Sequence, residues 1–378
     1  MNFRRVLAIA RLETRLLRRD PMIVLRAIGT PLVLMLLFGY GLSLDVEHIP
    51  FAVIDYDHSA TSRDYIYTFA GNRTFDLVSA DASEREVEAM LRRGDIRLAI
   101  IVPPQFERTL YHGLPATVQL MVDGVYAFRA EITRGYALAA HERAADDILS
   151  ARIQERTGHA LDLQPIEVRT RYLFNENLRT TNTIVPGLLP MILMMTPAVM
   201  MALAIVREKE LGSIYNFFSS PATRAEFVIG KLMPYIVIGF TNALFLGLLT
   251  VILFGVPFKG SLAIYAAGML VYVTATAGIG LLVSSFVKSQ LGANIVAMII
   301  TIVPSALYSG MLIPISSMSP LTRVVAHLFP GMFGNNIVIG TFLKNLPLRA
   351  MLADFATLGL FIIVFMAAGI VLTPKRER

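Results

Sequence analysis

From residue 204 to residue 231 the chain reads AIVREKELGSIYNFFSSPATRAEFVIGK, a charged, amphipathic segment between two long apolar runs. Leu211, Ile214, Tyr215 and Phe218 recur at i, i+3, i+4 and i+7, one face of a 3.6-residue period. Glu208, Glu210, Ser213, Asn216 and Ser219 lie mostly off that stripe. Pro221 breaks the helix, and Thr223 followed three residues later by Glu226 is a capping box that opens the next one. The pattern suits a short helix lying flat at a membrane surface with its polar face turned to something soluble. An ordinary connecting loop with one amphipathic turn is the other reading of the same residues.

The rest of the composition favours the membrane. Of 378 residues, 55% are hydrophobic and 16% charged, and the mean hydropathy is +0.60. A soluble domain carries about 25% charged residues. The formal charge of +6 would hint at nucleic acid in a soluble protein. Here the arginines cluster beside apolar runs, so bilayer orientation accounts for them and no nucleic-acid partner is expected. With no cysteine the chain has no disulfides, thiolate metal sites or cysteine nucleophiles.

Outward from the central stretch, apolar runs lie at 184–206 and 228–254, then at 261–287, 291–315 and 350–372. Another, 22–44, carries Arg26 near its start, where a long side chain can snorkel to the headgroups. A cleaved signal peptide ending near Gly41-Leu42-Ser43 competes with that first span. Ahead of it, residues 1–21 hold six arginines and an apolar stripe of Phe3, Val6, Leu7, Ala10 and Leu17, which reads as an amphipathic helix on the cytoplasmic membrane surface. The stretch 316–345, with Pro320, Pro330 and several Ser and Gly, reads as a re-entrant or interfacial segment on the outer side.

Residues 45–183 have the composition of a soluble α/β domain. Strands are expected at 51–54, 98–102 and 117–122, and helices at 83–93, from Pro103-Pro104 to about Gly113, and at 126–156. Ser83 and Glu86 form a capping box, and Gly94 is the C′ residue. The fold class expected is therefore membrane α-helical, six transmembrane helices, with an extracytoplasmic α/β domain between the first two. Lys and Arg gather in 1–21, around Arg207–Lys231, at Lys288 and in the tail 373–378, which places both termini inside.

Several chemistries are missing. The last five runs show no set of Asp, Glu, Lys or His at membrane depth, as proton coupling needs. Sodium sites built from backbone carbonyls stay open. Gly230-Lys231 is no P-loop, because Leu232 follows and Ala225 stands where the first glycine belongs. His141-Glu142 begins like a zinc-binding HExxH, but residue 145 is Ala. Asp55-Tyr56-Asp57 could be a carboxylate pair, or simply a strand-to-helix turn. The Met-rich run 191–201 could face hydrophobic substrates or pack in a lipid-facing helix. No catalytic, cofactor or metal site is expected, and the chain is not expected to be an enzyme.

Arg207-Glu208-Lys209-Glu210-x-Gly212-Ser213, Pro221-Ala222-Thr223-Arg224 and Gly230-Lys231 together resemble the E-x-G-[TS] … P-[VA]-[ST]-R … GK signature of ABC-2 type transporter permeases. PFAVIDYDHSATSR from Pro50, GDIRLAIIVPPQFERTL from Gly94 and YSGMLIPISSMSP from Tyr308 also fit, so the resemblance covers nearly the whole length. It implies a half-transporter in a cell inner membrane that exports a small hydrophobic or amphipathic substrate such as a drug. The ATP and Mg would sit on a separate ATP-binding subunit. A second permease, identical or paralogous, would complete the path, and a periplasmic adaptor and outer-membrane channel could dock on 45–183. It makes 207–227 the coupling segment, with Arg207, Glu208, Glu210, Gly212, Ser213, Pro221, Thr223 and Arg224 as candidate residues. Glu208 and Glu210 would make charged contacts near the ATPase, Gly212 would allow close approach or a tight bend, and Lys231 would sit at the cytoplasmic lipid boundary. The rival functions are a membrane-anchored sensor with a periplasmic ligand-binding domain, which would need an output domain not read here, and an ATP-independent carrier.

Overall fold

The structure is a computed structural model, and it describes residues 1–42, 48–125, 127–157, 173–175, 179–213 and 221–372. Two compact units emerge, one from residues 44–170 and one from 1–43 with 171–378. Ile214, Tyr215 and Phe218 of the opening stripe lie outside the described residues, as does the tail 373–378.

The smaller unit is a four-stranded sheet with helices on both faces. Its strands are β1 (Ile49–Asp55), β2 (Phe75–Ser79), β3 (Leu98–Val102) and β4 (Gln119–Val122), in the order β2-β1-β3-β4. β1 runs parallel to β2 and β3, and β4 is antiparallel to β3. Phe51 and Val53 point to one face, where Tyr65, Phe69, Phe75 and Ala140 pack. Ala52 and Ile54 point to the other, against Val87 and Ile96. Side chains alternate along a strand, and a strand covered on both faces is apolar throughout. The Ser83–Glu86 box forms as expected, and Gly94 closes that helix in the left-handed region at φ 79°. Pro103 and Pro104 do not open the next helix, however; it starts at Phe106, after Gln105 turns the chain at φ 58°. The carboxylate of Asp55 accepts from the backbone of Asp57 and His58 and from Ser62 Oγ at 2.7 Å, the bonding of a strand-to-helix turn. His141 Nδ1 is 2.8 Å from the hydroxyl of Tyr65, and burial raises the pKa of that phenol.

The larger unit is helical. It contains α1 (Phe3–Arg19), α2 (Pro21–Gly41), α7 (Thr181–Glu210), α8 (Arg224–Ile252), α9 (Leu262–Phe286), α10 (Gln290–Tyr308), α11 (Pro320–Ala326), α12 (Pro330–Phe342) and α13 (Leu348–Leu372), with α3 (Ala60–Ala70), α4 (Glu84–Arg93), α5 (Phe106–Tyr111) and α6 (Ala127–Thr157) belonging to the sheet unit. Five of these helices, α7 to α10 and α13, are long and apolar enough to cross a membrane. The apolar part of α2, Leu25–Gly41, is shorter. At 13 residues α12 spans only about 20 Å, and most of it is buried by protein, which is where such a short element is tolerated.

α7 is the central strut and packs against α2, α8, α9, α10 and α12. Its methionines 194, 195, 200 and 201 are buried inside the protein, which corrects the expectation of a lipid-facing Met run. Prolines interrupt these helices, and neighbours repair the damage. Pro197 removes a hydrogen bond from the carbonyl of Leu193, to which Thr276 Oγ1 of α9 donates at 3.3 Å. Pro31 does the same to Ala27, whose carbonyl accepts from Asn242 Nδ2 of α8 at 2.7 Å. Such repair lets a broken helix persist where no water can reach.

Candidate functional site: a buried charge node beneath the coupling segment

α1 places an acid where its apolar stripe should continue. Val6, Ala10, Glu13 and Leu17 are its buried residues, at helical spacing. The buried residues of this stripe pack against α8. The close fit depends on Gly230: a Cβ there would stand 2.8 Å from Ile9 Cβ and 2.9 Å from the carbonyl of Val6. One residue on, Lys231 enters the gap so created.

Lys231 Nζ lies 2.9 Å from Glu13 Oε2 and 2.8 Å from Glu208 Oε1, so one ammonium links α1, α7 and α8. Its side chain is 2% exposed, and that of Glu13 7%. Tyr235, one turn further along α8, donates its hydroxyl to Glu13 Oε1 at 2.6 Å. The Phe227 ring, one turn earlier, lies 5.7 Å from the ammonium. Taking these charges out of water costs several kcal/mol each, and only close, multiply bonded pairing offsets that. Lys231 is therefore enclosed by protein, in a buried ionisable set to which the apolar runs contribute Lys231 alone. Sequence reading missed it because Glu13 belongs to a segment outside those runs. An acid interrupting an apolar stripe was the available signal.

The capping box sets the register. Thr223 Oγ1 accepts from Glu226 N at 3.2 Å and Glu226 Oε2 from Thr223 N at 2.9 Å, so α8 starts at Arg224. Glu226 also accepts from the backbone of Asn2 at 2.5 Å and lies 3.8 Å from Arg5, whose guanidinium donates to the carbonyl of Pro221 at 2.8 Å. The start of α1 is thereby fastened to the PATRAE turn.

The other candidate residues crowd the same end of the unit. Glu210 accepts from Gln290 N at 2.7 Å and also from Gln290 Nε2, fixing the first turn of α10. A carboxylate at a helix N-terminus is favoured by the free N–H groups there. Lys209 Nζ donates to the carbonyl of Ser284 near the end of α9. Arg207 pairs with Asp20 at 3.7 Å, and Arg224 donates to the carbonyl of Val371 in α13 at 3.4 Å. Gly212 follows α7 at φ 70°, the left-handed turn that glycine allows without strain, and Ser213 Oγ donates to the carbonyl of Glu208 at 3.4 Å. Of the two acids expected to make charged contacts near the ATPase, Glu208 turns its carboxylate to Lys231. Glu210 stays exposed and holds α10.

Among the described residues no group of His, Asp or Glu could hold a metal ion. The arrangement is mechanical: shifting the end of α7 either breaks the Glu208–Lys231 pair or carries α8 and α1 with it.

Residues 22–371 match the family described as ABC-2 family transporter protein. The chain is 30% identical over 349 residues to the probable multidrug ABC transporter permease YbhS of Escherichia coli (strain K12), covering 92% of this chain and 91% of the relative. Its identity to the probable multidrug ABC transporter permease YbhR of the same strain is 25% over 346 residues, covering 92% of each. With the inner membrane transport permease YhhJ of that strain it is 26% over 288 residues, 74% of this chain and 73% of the relative.

Proposed function

The chain belongs to the ABC-2 family of transporter membrane proteins and is a permease subunit, and from that premise we propose how it couples to a motor and what it moves. Membership implies an ATP-binding partner subunit. ATP and Mg bind that partner, and this chain supplies the path. It acts as a half-transporter, joined by a second copy or a paralogous permease. α2 serves as a sixth span, with both termini cytoplasmic and residues 45–183 periplasmic, available to an adaptor and an outer-membrane channel. The basic residues around Arg207–Lys231 support that orientation. The substrate is a small hydrophobic or amphipathic molecule exported from the cytoplasm or inner membrane, a reading supported by the multidrug designation of two relatives.

The observation that carries the coupling reading is the junction of α1, α7 and α8 on Lys231. Nucleotide-driven closure of the ATP-binding subunits pushes on 207–227. Because Glu208, Lys231 and Glu13 are joined, the push moves three helices together instead of bending one loop. Glu210 passes the same motion to α10. Arg207, Gly212, Ser213, Pro221, Thr223 and Arg224 shape and anchor the contact.

Tagged chain, gently solubilised, should co-purify with a P-loop subunit whose ATP hydrolysis is blocked by vanadate. A clean preparation without ATPase, under conditions where a known transporter stays intact, would overturn the reading.

A further inference from the structure

At the roughly 100° per residue of an α-helix, Arg4, Arg11, Arg15 and Arg18 of α1 fall within an arc of about 60° that no other residue of the helix enters. All four are exposed, and among the described residues none of them is in an ion pair. Arg5, off the arc, is held instead by Glu226 and the carbonyl of Pro221. The one acid of α1, Glu13, is buried on the far side with the residues that pack on α8. Asp20, just past the helix, pairs with Arg207. Nothing on the helix therefore neutralises the stripe. Beside it lie Leu12 and Leu16, one turn apart and 58% and 48% exposed. The apolar surface resumes past Pro21, where Met22 and Leu25 at the start of α2 are exposed as well. α1 thus has three faces: one packed on protein, one cationic and one apolar, the last two open.

We propose that the open side of α1 is a binding surface for anionic phospholipid, the arginine stripe taking the phosphates and Leu12 and Leu16 the upper acyl chains. A single lipid satisfies both faces, because it joins a negative headgroup to hydrocarbon. A guanidinium donates paired N–H bonds to a phosphate while its stem lies along apolar surface. A zwitterionic headgroup carries its own cation, which the stripe repels. An acidic protein surface would meet the arginines but leave the two leucines against charge or water. The inference rests on the chain being a membrane permease and not on the coupling reading.

The chain has no tryptophan, so Leu12→Trp introduces a single reporter beside the stripe, and Leu16→Trp repeats the measurement one turn on. Each full-length variant is reconstituted in phosphatidylcholine vesicles that contain an equal fraction of either brominated phosphatidylglycerol or brominated phosphatidylcholine. Bromine on the acyl chains quenches tryptophan on contact. The anionic lipid should quench with an apparent affinity roughly fivefold or more above that of the zwitterionic one, the preference that a single arginine near an anionic surface supplies. Adding Arg11→Gln, Arg15→Gln and Arg18→Gln should bring the two lipids level. The same change at Arg73, Arg85 and Arg92, exposed arginines of the sheet unit, should leave the preference intact. Equal quenching by the two lipids with the stripe in place would overturn the proposal, as would a preference that survives its removal. No quenching by either lipid, in the chain alone or with the ATP-binding subunit bound, would overturn it too and give the face to a protein partner.

Discussion

At its C-terminal end α7 meets Glu13, Lys231 and Tyr235 in a node where each buried charged or hydroxyl group has a partner, whereas at its N-terminal end it borders a cavity lined in part by Asn335, whose Oδ1 is buried and unpaired. Thr183 and Glu208 are separated by roughly 38 Å of helix at 1.5 Å per residue. The closed end has the organisation of a joint that must transmit force, because its polar atoms already satisfy one another. The open end is organised differently, because a buried amide oxygen there is left without a partner among the described residues. Substitutions should therefore act with opposite sign at the two ends.

The largest effect is expected at the joint. Lys231→Met leaves two carboxylates facing each other with no cation between them, and should destabilise the chain by about 3–5 kcal/mol. Thermal unfolding in detergent reads this, and pairing the change with Glu13→Gln should recover part of the loss. An unchanged melting temperature would mean the node holds nothing together. A smaller effect is expected at its rim. Glu210→Ala removes an exposed cap from α10 and should cost about 1 kcal/mol or less in stability. It should nevertheless uncouple ATP hydrolysis from transport in the assembled complex. Unaltered transport together with unaltered substrate-stimulated hydrolysis would take Glu210 out of the mechanism. The smallest stability change belongs to the open end. Asn335→Leu removes an unsatisfied group and should leave stability level or raise it by about 1 kcal/mol. A loss as large as that of Lys231→Met would erase the contrast between the two ends.

What could be read from sequence was local. The five long spans follow from length and apolar content, and the boxes Ser83–Glu86 and Thr223–Glu226 from a three-residue spacing. β2 escaped notice because it is an edge strand anchored only by Phe75, with Asp76, Leu77 and Val78 exposed. The node was hidden for a different reason. Glu13 and Lys231 are 218 positions apart, and neither is unusual until the helices pack. In the candidate segment the residue types were legible but not their directions: the same short run sends Glu208 inward and Glu210 to α10. The cavity is a property of packing alone, and no residue spells it.

The repaired proline breaks carry a consequence for how the chain is made. The carbonyl of Ala27 accepts from Asn242, which lies 215 positions later. At about 5–20 residues per second, a ribosome needs on the order of 10–40 s to supply that amide. If α2 serves as the proposed sixth span, its carbonyl stays open during that interval, which hydrocarbon penalises by several kcal/mol. Synthesis thus imposes a waiting period on α2, and the arrival of α8 ends it. A stop codon placed before Asn242 should trap α2 in that waiting state, a natural target for quality-control proteases.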